Sequence, residues 1–201
     1  MFVFNGGGCY DIIANSNTAV AAYTKYLAVG MGTYSVALSD DGFNWTPNLV
    51  ATGLLSGGAQ SAVWLDGSYN RWVVGGKNGS NAGVILYSND ASGTSWTSSA
   101  SIATVFNSNH NINVLAWNGT HLVAGGNSTT NKLAWSSNGG DTWTASTNTS
   151  DGGNTSTIFS SGCNGAAWSP TLGRWVAVGG GGTSIAYSST SSGASWTAVP
   201  N

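Results

Sequence analysis

Tryptophan returns in this chain at one place in a fourfold repeat. Trp45, Trp96, Trp143 and Trp196 close four similar segments, at intervals of 51, 47 and 53 residues. These segments run Ser39–Thr46, Ser88–Thr97, Ser136–Thr144 and Ser188–Thr197, each with a serine at its start, glycine inside it and Trp-Thr at its end. The copies also open alike: the residues from Leu54 to Trp64 align without a gap to those from Ile158 to Trp168, and the stretch from Val105 to Trp117 carries two extra residues. All ten tryptophans fall on this repeat. Self-similarity at such a period marks a propeller, solenoid or array, in which one supersecondary unit buries its apolar faces only by stacking on its neighbours.

Each copy carries four short strand signals. The second and third are continuous apolar runs (Tyr26–Val29 and Val36–Leu38 in the first copy, Trp175–Val178 and Ile185–Tyr187 in the last) and do not alternate with polar residues. Such runs suit sheets covered on both faces. Asp66-Gly67, Asn118-Gly119, Asp41-Gly42 and Asn138-Gly139 supply hairpin chemistry between them. Pro47, Pro170 and Pro200 fall at strand ends or turns, where no ladder donor is lost. The expectation is an all-β chain, a β-propeller of four four-stranded antiparallel blades spanning residues 1–48, 49–98, 99–146 and 147–201 as a single domain. Closure within one chain (a monomer) and closure across a ring-completing homodimer both remain open at this point.

Only 6% of the residues are charged and the net charge is −2, which argues against nucleic-acid binding through a basic footprint. No apolar run is long enough to span a membrane, so no membrane insertion is expected. The opening residues lack the basic start and long apolar centre of a signal peptide. Ser, Thr, Asn and Gly supply the polar surface, a composition that favours an extracellular or virion-associated protein over a cytoplasmic one. Cys9 and Cys163 both precede an innermost strand, in the first and fourth copies, with Cys9 aligned to Asn164. A closed ring of four makes those copies neighbours, so a disulfide that staples the closure is expected.

The tryptophan segment resembles the Asp box, or BNR repeat, of sialidase-like β-propellers. Ser136 to Trp143 has its length, with Asn138 in the aspartate place; Ser39 to Trp45 is one residue shorter with Asp41 there. Ser88 to Trp96 is one residue longer and keeps Asp90, whereas Ser188 to Trp196 carries Thr190. The wider pattern resembles repeats frequent in proteins of large DNA viruses and environmental sequences. The resemblance implies a structural turn between the third and fourth strands, so Asp41, Asp90 and Asn138 are read as fold residues and not catalysts.

The residue inventory argues against an enzyme. The chain has no glutamate, seven aspartates and two arginines. A sialidase-like site, as the resemblance implies, needs three arginines and a Tyr/Glu pair. A two-carboxylate glycosidase would have to rely on Asp11 and Asp151, because Asp40, Asp41, Asp90 and Asp141 belong to Asp-box turns and Asp66 to a hairpin. His110 and His121 fall at opposite rims, so no metal site is expected, and no cofactor. Lys25, Arg71, His121 and Arg174 open the second strand of each copy and are read as offsetting the Asp-box acids on that rim. The other rim carries the long connections near residues 47–60, 98–112 and 145–164, where Gln60, His110, Asn111 and Asn164 are the candidate ligand-binding residues. Tyr10, Tyr23, Tyr34, Tyr69 and Phe43 are the rings left for sugar stacking. The expected function is a non-enzymatic binding or structural module that meets a protein or carbohydrate surface through its loop rim. The alternatives are a lectin with inter-blade pockets or, less favoured, a degenerate sialidase-like hydrolase.

Overall fold

The computed structural model describes residues 4–15, 25–107 and 109–200. The first sheet comprises β1 (Cys9–Ala14), β2 (Tyr26–Gly30), β3 (Val36–Ser39) and β4 (Thr46–Pro47), in that order. The second comprises β5 (Ala59–Leu65), β6 (Arg71–Lys77), β7 (Gly83–Ser88) and β8 (Trp96–Ser98). The third comprises β9 (Ile112–Trp117), β10 (Leu122–Gly126), β11 (Leu133–Ser136) and β12 (Thr144–Ala145). The fourth holds five strands: β13 (Thr147–Asn148), then β14 (Phe159–Ser169), β15 (Arg174–Gly182), β16 (Ile185–Ser188) and β17 (Ser195–Ala198). In each sheet four consecutive strands form an antiparallel meander, the architecture of a β-propeller blade.

The fifth strand departs from the expected four. β13 lies parallel to β17 on the outer edge of the fourth blade, where Thr147 N–H donates to the Ala194 carbonyl at 2.9 Å and Thr149 N–H to that of Trp196 at 2.8 Å. The chain leaving the third blade thus straps the fourth before it turns inward. The connections between blades also hold short helical turns, α1 (Leu49–Leu54), α2 (Ile102–Val105) and a 3-10 turn (Thr155–Thr157). They deliver Leu55, Phe106 and Phe159, all fully buried, to the seams between blades.

Pairing register gives every blade two defined faces. On the forward face of the first blade lie Leu27, Val29 and Val36; they cluster with Trp72, Val74, Leu86 and Trp96 on the rear face of the second. Val73 and Ile85 meet Leu122, Ala124, Ala134 and Trp143 in the same way, and Val123 and Leu133 meet Trp175, Ala177, Ala186 and Trp196. Covering both faces explains the continuous apolar runs. Alanine recurs beside the indoles on the rear faces of the third and fourth blades, opposite the larger Val73, Ile85, Val123 and Leu133 of the blade before.

Polar links follow the same rule. The indole Nε1 of Trp96, Trp143 and Trp196 donates to the carbonyl of Gly93, Gly140 and Gly193 in its own turn, at 2.9, 3.2 and 2.8 Å. Each of those carbonyls also receives a side-chain donor from the preceding blade: Asn48 at 2.6 Å, Ser99, and Ser146 at 2.7 Å. On the innermost strands, Ala62 N–H donates to Asp11 Oδ2 at 3.2 Å and Leu115 N–H to Ser61 Oγ at 3.1 Å.

At the two ends these faces are open in part: Ala28 and Ala37 on the rear face of the first blade are 2% and 0% exposed, but larger residues beside them are not covered. Val176, Val178 and Ile185 on the forward face of the fourth blade are 40%, 45% and 45% exposed, whereas Leu27, Val29 and Val36 at the matching places are fully buried. Ile12, on the rear face of the first blade, is 55% exposed.

The expected disulfide is absent: both cysteines are free, Cys9 exposed and Cys163 buried. The register also moves Cys9 one place from the sequence alignment. It pairs with Gly30 as Cys163 pairs with Gly179, so the two cysteines, and not Cys9 and Asn164, are equivalent. The Cys163 thiol faces back onto the third blade, where a Cβ at Gly125 would stand 2.6 Å from its Sγ. Two residues on the same face of their blades cannot meet across a ring closure. Burial pushes the Cys163 thiol up to about 12. Alkylation under denaturing, non-reducing conditions is therefore expected to label both cysteines; mass spectrometry showing an unlabelled pair would refute this.

Trp143 is 4% exposed, whereas Trp45 in the first blade is half-buried, with no preceding blade behind it among the described residues. Trp143→Ala is expected to lower unfolding free energy by about 3–5 kcal/mol and Trp45→Ala by clearly less. Denaturant titration of the two variants checks the order.

Candidate functional site

The tryptophan turns are built to hold backbone. In the first, Asp41 Oδ1 accepts the N–H groups of Phe43 and Asn44 at 2.8 and 2.7 Å, while Ser39 Oγ accepts that of Gly42 at 2.8 Å. In the third, Asn138 Oδ1 accepts Thr142 N–H at 3.0 Å and Ser136 Oγ accepts Gly140 N–H at 3.0 Å. Asp90 Oδ1 accepts Gly93 N–H at 3.0 Å in the second. In the fourth, Thr190 stands in for the acid, its hydroxyl 2.9 Å from that of Ser188. Gly93 and Gly193 sit at φ +66° and +73°, a region a side chain resists. Donated N–H and amide groups hold the Asp41 carboxyl well below its ordinary range. Burial raises the Asp90 carboxyl, but bonds from Ser92, Gly93 and Thr94 outweigh it and lower the net value.

The remaining carboxylates are also engaged. Asp40 pairs with Lys25 at 3.3 Å and Asp141 with Arg71 at 2.9 Å. Asp66 accepts the Trp117 indole N–H at 2.9 Å, and Asp151 accepts Gly153 N–H at 2.8 Å. Asp11, one of the two acids left over in the sequence, bonds the second blade as described above. The basic rim residues are drawn into the same contacts. Arg71 donates to the Asn138 carbonyl at 2.9 Å and lies 4.3 Å from the Tyr87 ring centre, and Arg174 lies 4.9 Å from that of Tyr187. A hollow of about 460 Å3 beside the first Asp box is lined by Lys25, Asp40 and Asp41, the groups already paired there.

On the opposite rim a cleft of about 260 Å3 opens among Lys77, Asn81, Asn109, His110, Asn111 and Asn127. It sits between the hairpins that follow β6 and β10 and the connection into β9. His110 is 3% exposed and its ring stacks on Phe106, with centroids 5.6 Å apart. Gly83 makes room for it: a Cβ there would stand 2.1 Å from Nε2. Asn127 Oδ1 accepts Asn111 N–H at 2.6 Å, and Lys77 Nζ donates to Asn81 Oδ1 at 3.0 Å. Asn81 and Asn109 hold φ of +60° and +61°, which their short amides tolerate better than most side chains.

Of the four candidate residues, His110 and Asn111 share this cleft. Asn164 joins it indirectly, since Asn111 Nδ2 donates to Asn113 Oδ1 at 3.2 Å and Asn113 Nδ2 to Asn164 Oδ1 at 3.1 Å. Gln60 stands apart, at the β-bulge between Ala59 and Ser61, a position that Asn113 and Asn164 repeat in the third and fourth blades. Lys77, Asn81 and Asn127 lie at the hairpins that follow β6 and β10, outside the long connections to which the sequence points. A signal existed: Lys77 and Lys132 are the two of five basic residues that do not open a second strand. Among the rings considered for stacking, Tyr69 is held by Trp117 and the Ser137 carbonyl, Phe43 and Tyr10 are exposed, and Tyr23 lies outside the described residues.

Asp41 sets an acid-side expectation. Its carboxyl is depressed on folding, so its contribution is present above 3.8, its ordinary value, and fades as pH falls through the depressed value. A carbon-detected NMR titration should show Asp41 still ionised at pH 3, roughly one unit under that ordinary value; protonation above 3.8 would contradict it.

No family model matches the chain, and no curated protein does. Among solved structures it is similar to YCF48 from Cyanidioschyzon merolae, with a TM-score of 0.58 and 16% identity over 97% of this chain. The match covers 57% of that protein, so the chain spans little more than half its length. Four blade-like sheets and this similarity give the chain a β-propeller fold resembling YCF48.

Proposed function

We propose that the chain is a non-catalytic binding or structural module that contacts a protein or glycan surface through the rim of long connections. The observation that carries this reading is the cleft around His110 and Asn111: amides, one imidazole and one ammonium on a rigid scaffold, with no carboxylate among its lining residues. Such groups suit hydroxyl-rich or carbonyl-rich surfaces, and loops set on a fixed framework are where binding is usually placed. The engagement of all seven aspartates in turns, pairs and seams further supports binding over hydrolysis. The Ser-x-Asp turns fit Asp-box repeats, and the weakly charged surface fits display outside the cytosol.

The glycan form of this reading has one specific support. The cleft lies at the junction of two blades, as a lectin pocket would, although the matching connections at other junctions differ in length.

A glycan array probed with the labelled chain is the test, backed by NMR shift mapping with any ligand found. Asn111→Ala and Lys77→Ala are expected to weaken binding by about 10-fold or less each, as for loss of one net hydrogen bond. Variants on the opposite rim should leave it unchanged. Shifts confined to that opposite rim, or turnover of a fluorogenic sialoside, would overturn the proposal.

A further inference from the structure

We propose that a second copy of this chain completes the ring: the forward face of the fourth blade in one copy docks on the rear face of the first blade in the other. Two such contacts close a propeller of eight blades. Val176, Val178 and Ile185 at one end and Ile12 at the other are exposed, yet they occupy the positions that form every seam inside the chain. A head-to-tail contact of this kind closes when its rotation divides the circle. Twice four blades falls within the range propellers adopt.

Side-chain sizes match across the proposed joint. On the innermost strand, forward Asp11 and Ser61 meet rear Ala62 and Leu115, and Val114 and Ala166 share one cluster. The same register sets Gly165 against Ile12, a large side chain over no side chain. One step along the seam, Val29 clusters with Ala59, and a Cβ at Gly75 would stand 2.6 Å from Ile112, as one at Gly125 would from Cys163. Continuing the series sets Val178 against Cys9, again a larger group against a smaller one.

Charge and polarity agree. Arg71 reaches the Asp box of the following blade, at Asn138 and Asp141. Arg174 is its equivalent, and the Asp box next in line carries Asp40 and Asp41. Where Asn48, Ser99 and Ser146 donate across internal seams, the fourth blade has Val199. The joint is therefore drier than the internal ones, as the cores of homodimer interfaces are.

Light scattering of the purified chain is expected to give twice the 20.3 kDa of one chain. Ile185→Asp, on an exposed position, should keep the β-sheet circular dichroism and halve that mass. Val178→Cys oxidised with diamide should yield a disulfide-linked pair of chains that Cys9→Ser abolishes. A mass of one chain for the unaltered protein would overturn the proposal, as would an open ladder of oligomers. So would a bond from the introduced cysteine to Cys9 within one chain, which would mean closure by four blades alone.

Discussion

The glycine carbonyl at the foot of each tryptophan turn is the contact on which the architecture depends. It accepts the indole N–H of its own blade and, at each internal seam, a hydroxyl or amide from the blade before. One oxygen therefore ties a turn to itself and to its neighbour. The indole so fixed is buried in one cluster with apolar residues of the preceding blade. Removing the ring would open a cavity and leave the carbonyl with one donor fewer, both costs falling at the same seam. This coupling of local turn and non-local packing makes the repeat a cooperative stack of mutually dependent sheets.

Much of this could be read from residue order, for a physical reason. A repeat that must bury both faces imposes continuous apolar runs on its middle strands, and these are visible without coordinates. Glycine and short polar side chains mark the turns between them because few other residues accept those backbone angles. Element type and order were thus legible. The placement of the cysteines was not. Cys9 comes five positions after Phe4, whereas Ala59 comes four after Leu55, and only the hydrogen-bond register shows where the extra residue is absorbed. The strap formed by Thr147 and Asn148 was equally hidden, since two residues carry no periodicity. The helical turns are shorter than any window that could reveal them.

The candidate site divides along the same line. His110 and Asn111 were legible because they lie in a connection that differs between copies. Lys77, Asn81 and Asn127 come from the other side of the cleft, on hairpins whose equivalents are unremarkable elsewhere, so their convergence is a property of blade stacking. The acids were legible as structural by elimination, and the geometry supplies each with a donor. Asp11 is the instructive case. In the sequence it looked spare; in the fold it accepts a backbone N–H across a seam, a task Ser61 performs one blade later.

The strap on the fourth blade has a consequence for solubility. Outermost strands are open templates for foreign chains, and the risk grows with their length. Those of the first three blades run two, three and two residues, too short to recruit a partner strand, while β17 runs four. It is this longest rim that Thr147 and Asn148 cover. The molecule thus caps its most adhesive border with its own backbone, a safeguard against amyloid-like stacking obtained without the charged residues that such borders usually carry.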